Sequence, residues 1–342
     1  MLQRYMIWNN KGGVGKTFLS YSLSVEYAIS HPEEIVVVAD MCPQANVSEI
    51  LLGGNGKGEA NLQKCFEEDR TIASYIKARY DKSQFGRIGN ELSYFVNVKD
   101  YNSYMPDNLF LIPGDIDLDL CATIINYLAQ APQKGAWLKS RSFLNDLIDS
   151  FISSYKNKKV TCFIDCNPSF ANYTEMAVLA SSRIITPCTA DAASIRGIKN
   201  LFRMIYGIRI DNNSPEISAF DTFASKIKDA GIQAPKLHLF LLNKSRVLDK
   251  SAAKAFTAHI NKIEVLANDL KVKYPNDFTT EDNHLVLNIK DGNTLAAIIN
   301  HTGLPLSKIQ HKTYTIYGKR TQANQSQIDP LLSDIHTCVN II

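Results

Sequence analysis

A chain of 342 residues with 45% apolar and 21% charged side chains reads as a globular protein, long enough for one large domain or two small ones. No run approaches the ~18 apolar residues of a membrane span, and the first residues lead straight into a glycine loop without a basic-then-apolar leader, so cytoplasm is the expected location. A net charge of +3 neither demands nor excludes a nucleic-acid partner, and the seven cysteines, Cys162 and Cys166 included, lack metal spacing and read as reduced core thiols.

In chain order, "RYMIW" (4–8), "EIVVVAD" (34–40), "NLFLIPG" (108–114), "VTCFIDC" (160–166), "SRIITPCT" (182–189) and "KLHLFLLNK" (236–244) read as strands. Their continuous apolar character suits a sheet buried on both faces, which means a mostly parallel one. Helical patterns lie between them at 15–30, 142–156, 172–181, 194–206 and 249–271. The alternation predicts a doubly wound α/β sheet whose ligand binds at the carboxyl ends of the strands. Residues 53–107 break the rhythm. "GGNGKGEAN" is turn-rich, and "FEEDRTIASYIKARYDK" reads as a helix followed by irregular, tyrosine-rich chain. The expectation is a single domain over 1–342 with an insertion at about 53–107 packed on it, and a surface loop at 208–218.

"KGGVGKT", between the first strand and the first helix, has the chemistry of a phosphate-binding loop. Gly12, Gly13 and Gly15 let backbone N–H groups turn inward onto phosphate oxygens, and the next helix adds its positive end. Lys16 supplies a charge to the outer phosphates and the Thr17 hydroxyl can ligate magnesium. The candidate nucleotide contacts are therefore Lys11, Gly12, Gly13, Val14, Gly15, Lys16, Thr17 and Phe18. The extra lysine, Lys11, and Asn10 in place of the usual leading glycine need a separate explanation.

That combination resembles the deviant Walker A box of the ParA/MinD family of P-loop ATPases. In that family the early lysine reaches the nucleotide held by the other subunit, so the resemblance implies that Lys11 acts across an ATP-dependent homodimer, much as a trans arginine finger does. "VVVADMCPQANVS" (36–48) resembles the family's Asp-x-Asp-Pro-Gln signature: Asp40, Pro43 and Gln44 are in place, but Cys42 replaces the second aspartate, the residue associated with the attacking water. "CFIDCNPSF" (162–170) resembles the Walker B stretch, which makes Asp165 a magnesium residue beside Thr17 and Asp40. "ITPCTADAASIRGIKNL" resembles the strand and helix that follow. Asn243, at the end of "LFLLN", takes the place of the asparagine that bonds the adenine edge, and 287–309 corresponds loosely to the last loop and helix. The resemblance covers 1–52 and 108–332 and implies ATP and Mg²⁺ as ligands, with Lys11, Lys16, Asp40 and Cys42 at the catalytic positions.

Three jobs within such a family compete. Partition-type positioning of DNA or another cargo needs a local basic face, for which Lys244, Arg246, Lys250, Lys254, Lys308, Lys312, Lys319 and Arg320 are candidates, together with an adaptor protein. A membrane-cycling switch is disfavoured, because "QIDPLLSDIHTCVNII" has no lysine or arginine; an iron–sulfur role lacks its cysteine pair. The third is a hydrolysis-poor ATP-gated switch acting on a partner protein, which Cys42 favours: a thiol is a weak acceptor and is mostly protonated near neutral pH. Hydrolysis is expected to be slow, with water left to Asp40 or to a partner protein.

Overall fold

The computed structural model describes residues 3–82, 85–210, 223–243, 250–279 and 285–342. The 208–218 loop falls largely outside these residues. The strands of the main sheet are β1 (Gln3–Ile7), β2 (Ile35–Met41), β3 (Val96–Asn97), β4 (Leu109–Ile112), β5 (Val160–Cys166), β6 (Arg183–Thr189), β7 (Lys236–Asn243) and β8 (Val286–Ile289). They stand in the order β3-β4-β2-β5-β1-β6-β7-β8, parallel throughout except for the antiparallel β3–β4 pair. Because β5 slots between β2 and β1, the carboxyl ends of β1, β2 and β5 lie side by side, with Asp40 directly opposite Asp165.

Strand periodicity sorts the apolar residues onto two faces. Met6, Trp8, Val37, Ala39, Cys162 and Ile164 point into one core. Tyr5, Ile7, Val36, Val38 and Phe163 point into the other. The first core is covered by α4 (Ile72–Lys82), α5 (Leu118–Ala129), α7 (Phe143–Ser154), α8 (Asn172–Ala180), α9 (Ala192–Leu201) and α11 (Lys250–Lys273). The second is covered by α1 (Lys16–Ser30), α2 (Asn46–Leu51), α3 (Lys57–Glu67), α12 (Asn293–Thr302) and α13 (Gln325–Ile341). Two short helices, α6 (Ala136–Arg141) and α10 (Phe223–Asp229), add Trp137, Phe223 and Ile227 to the first core, and a β9 (Thr313–Ile316)–β10 (Lys319–Gln322) hairpin forms a separate two-stranded sheet. The fold is thus the doubly wound, mostly parallel α/β sheet that the strand pattern implies.

Several local expectations need correction. "FEEDRTIASYIKARYDK" is not one helix: α3 ends at Glu67, Asp69 turns the chain with φ +53°, and α4 begins at Ile72. The pattern at 194–206 is an α-helix only to Leu201 and continues as a π-turn over Phe202–Tyr206. The tyrosine-rich chain supplies the edge strand β3. Residues 53–107 also enter both cores, through Leu62 and Cys65 on one face and Ile72, Tyr75 and Ile76 on the other. Arg79, 1% exposed, ties α4 to α7 by bonding Asp146 (3.0 Å) and lying 4.2 Å over the Phe143 ring. At the other end of the chain, α13 opens with a capping box between Asn324 and Gln327 and buries Ile328, Leu331, Ile335 and Cys338. Among the described residues no helix is long and apolar enough to cross a membrane.

Candidate functional site

The loop between β1 and α1 needs glycine at two points. Gly13 (φ +72°) and Gly15 (φ +87°) adopt left-handed conformations that side-chain-bearing residues avoid. Gly12 does not, which corrects the expectation that all three glycines are conformationally required. A Cβ on Gly15 would come within 2.6 Å of Asn243 Nδ2, so the end of β7 lies against the loop, where the sequence places base recognition. Val14 is fully buried beneath the loop, and Phe18 turns toward the β8–α12 connection, its ring 3.3 Å from where a Gly292 Cβ would stand.

Two buried carboxylates face the loop. Asp165, at the end of β5, accepts from Thr17 Oγ1 (3.2 Å) and Ser20 Oγ (2.7 Å). Asp40, at the end of β2, accepts from Ser48 Oγ (2.7 Å), the Ser48 N–H (3.1 Å) and the Cys42 N–H (3.1 Å). Burial, and for Asp40 the neighbouring Asp165 charge, holds both carboxyls above the ordinary carboxylate range. Lys16 is desolvated as well, which lowers its pKa, and its ammonium donates to the Lys11 carbonyl at 2.8 Å. The Cys42 thiol is pushed up to about 12 by burial and by Asp40, so it carries no negative charge near neutral pH.

Lys11 is anchored within its own chain. Its ammonium bonds Thr189 Oγ1 (2.5 Å) and the carboxylate of Asp191, while its backbone N–H donates to Asn9 Oδ1 at 2.9 Å. Asn9 is in turn held by the Pro187 carbonyl at 2.7 Å. Asp191 also N-caps α9 through the Ser194 N–H. Burial alone would raise the Asp191 pKa, but the bonds from Lys11, Thr189 and Ser194 outweigh it and hold the carboxyl down at about 2.

Lys11, Gly12, Gly13, Val14, Gly15, Lys16, Thr17, Phe18, Asp40, Cys42, Asp165 and Asn243 therefore converge at one end of the sheet. Ser20, Ser48, Asn9, Thr189 and Asp191 were not singled out from the sequence. Ser20 was legible as the residue one helical turn beyond Thr17; nothing in the local sequence marks Ser48 as the support of Asp40. Of the basic candidates, Lys319 and Arg320 are exposed on β10, Lys312 lies over the Tyr314 ring, and Lys308 donates to the Tyr104 carbonyl at 2.6 Å. Lys244 and Arg246 lie outside the described residues, as do the side chains of Lys250 and Lys254.

The donor set can be tested against magnesium and nucleotide. Two adjacent buried carboxylates face one desolvated lysine, and a hydroxyl stands beside Asp165; a divalent cation and phosphates complete that charge balance. Among the described residues no cluster of three or more His, Cys, Asp or Glu could hold a metal alone.

Comparison with known proteins agrees with this architecture. The AAA_31 family model, an AAA domain, matches residues 3–217. An uncharacterized protein of Methanocaldococcus jannaschii, MJECL24, is 23% identical over 221 residues, covering 64% of this chain and 71% of that protein. Among solved structures, apo McdA of Cyanothece superposes with a TM-score of 0.59 at 14% identity, covering 99% of this chain and all of the other. An ATP complex of a variant of that protein gives 0.57 at 15% identity, over 100% and 97% of the two chains. The ParA of pNOB8 gives 0.53 at 15% identity, over 99% and 96%. With a phosphate loop opening α1, aspartates ending β2 and β5, and a family match over more than half of its length, the chain belongs to the AAA_31 family and has the fold of the ParA/MinD-like P-loop ATPases.

Proposed function

We propose that this protein is an ATP-gated dimeric switch of the partition type, which binds Mg–ATP, pairs face to face with a second copy, and in that state holds DNA or another cargo. The observation that carries the reading is the placement of Lys16, Thr17, Asp40 and Asp165 around one phosphate loop, with a second lysine, Lys11, at its entrance. Lys16 and the loop N–H groups would hold the phosphates. Thr17, Asp40 and Asp165 would hold magnesium, directly or through water, and Asn243 would meet the base. Bound magnesium supplies charge neutralisation at the outer phosphates. Lys11, once released from Asp191, would reach the partner's nucleotide.

Hydrolysis is slow in this account. Cys42 occupies the position where a carboxylate would orient water, and a protonated thiol cannot accept the water's proton. The same observation favours a second reading, a regulatory switch that acts on a partner protein through its ATP-bound state alone. Light scattering in Mg–ATP and in Mg–ADP, with and without duplex DNA, separates the readings. Dimer mass and DNA retention in ATP only support the first; an ATP dimer that ignores DNA supports the second; a monomer under every condition overturns both.

A further inference from the structure

The chain's positive charge is unevenly placed. Between residues 307 and 328 there are four lysines and arginines and no aspartate or glutamate, against a net charge of +3 for all 342 residues. The centre of this segment is the β9–β10 hairpin. Its inner face buries Tyr314 and Ile316. The register sets Thr315 opposite Arg320 and Thr313 opposite Gln322, so the outer face presents Thr315, Arg320 and a Thr313–Gln322 pair in which the hydroxyl donates to Oε1 and the amide nitrogen stays outward; Lys319, opposite Ile316 beside the turn, is exposed as well. Among the described residues neither Lys319 nor Arg320 has a carboxylate partner. Hydroxyl, amide and cationic donors on a solvent-facing ribbon are the groups that engage a phosphodiester backbone without reading its sequence.

The tip adds a second observation. Tyr317 and Gly318 form a two-residue turn with φ +48° and +74°. Positive φ at both positions matches the twist of a tight hairpin, but Asn or Gly normally takes the first, and a bulky aromatic there is strained. Tyr317 remains 59% exposed, packs edge-on against His301 with ring centroids 4.9 Å apart, and lines a cavity of about 320 Å³. Thr17, Phe18, Asn46 and Asn300 line the same cavity, so the tip stands beside the first turn of the nucleotide-binding helix.

We propose that the β9–β10 hairpin is the arm by which this protein docks on duplex DNA, and that Tyr317 at its tip links that contact to the nucleotide site. The proposal rests on the DNA-binding reading above and names the surface and its control. The test is fluorescence anisotropy of an arbitrary-sequence duplex against the full chain in Mg–ATP and Mg–ADP, over a series of salt concentrations. Lys319→Ala/Arg320→Ala is expected to weaken binding at least about tenfold and to lower the log–log salt slope by about 1.8 for each protomer engaged, with nucleotide binding and dimer mass unchanged. Lys156→Ala/Lys158→Ala, which removes equal charge just before β5 at the opposite end of the sheet, is expected to change neither quantity beyond a small uniform loss. Tyr317→Asn keeps a favourable turn and is expected to shrink the ratio of ATP to ADP affinity toward one.

If wild type binds duplex in ATP and the Lys319/Arg320 double variant binds equally well, the arm is overturned. If that variant instead loses dimer mass, the hairpin is a contact between copies and the arm is overturned as well. An unchanged nucleotide ratio in Tyr317→Asn overturns the link. Wild type that binds no duplex at low salt overturns the underlying reading.

Discussion

The ammonium of Lys11 is paired with the carboxylate of Asp191, the residue that caps α9, so the lysine expected to serve a partner is held at home by its own chain. The pair is partly exposed, with 25% and 42% of the two side chains accessible, so breaking it is within reach of a nucleotide-bound partner. Asp191→Asn keeps a good helix cap and removes the charge. It is expected to strengthen ATP-dependent pairing several-fold, whereas Lys11→Ala should bind ATP and remain monomeric. Light scattering with a titration of protein concentration reads both; a normal dimer in Lys11→Ala would end the trans assignment.

Cys42 invites the reverse substitution. Wild-type turnover is expected far below one per second, and Cys42→Asp should raise it at least about tenfold, since a positioned base contributes roughly 100- to 10,000-fold where it acts fully. A phosphate-release assay checks this. Rapid wild-type turnover, or no gain in the variant, would leave water activation to some other group.

Asp40 and Asp165 give the ligand-free chain a pH dependence. Their folded-state pKa values are raised above the unfolded carboxylate value of about 4, so the native state binds more protons and stability falls as pH rises from about 4 toward neutrality. Asp40→Asn should flatten that fall in urea titrations at successive pH values. It should also abolish the stabilisation that Mg–ATP gives the wild type. A stability that climbs with pH over the same range would contradict the mutual destabilisation of the pair.

Gly197 is a helix-interior glycine, where alanine normally stabilises by ~1 kcal/mol. Here the sign should invert. A Cβ at that position would stand 2.5 Å from Asn9 Oδ1, the atom that accepts the Lys11 N–H. Gly197→Ala is expected to lower stability and weaken nucleotide binding together, read by thermal melts with and without ATP.

The strands that bear the site were legible because each is a continuous apolar run ending in a polar residue, as with "VVVAD" and "CFID". The phosphate loop was legible because its glycines and Lys-Thr pair follow from local backbone demands. The support shell was not. Ser48 and Asp191 matter only because tertiary folding brings them to Asp40 and Lys11, and no local periodicity encodes that. Helix α5 escaped notice because its buried positions, such as Cys121 and Ile125, are interspersed with exposed apolar ones, Leu120 and Tyr127 among them, which blurs the amphipathic pattern.

The two-residue strand β3 runs against β4 and closes one margin of the sheet with a segment drawn from 53–107. Deleting that segment would lay bare the amide and carbonyl row of Leu109–Ile112, a flat apolar template on which other chains could zip. A shortened version of this protein should therefore be lost to fibrous or amorphous precipitate before any defect in ATP handling could be measured.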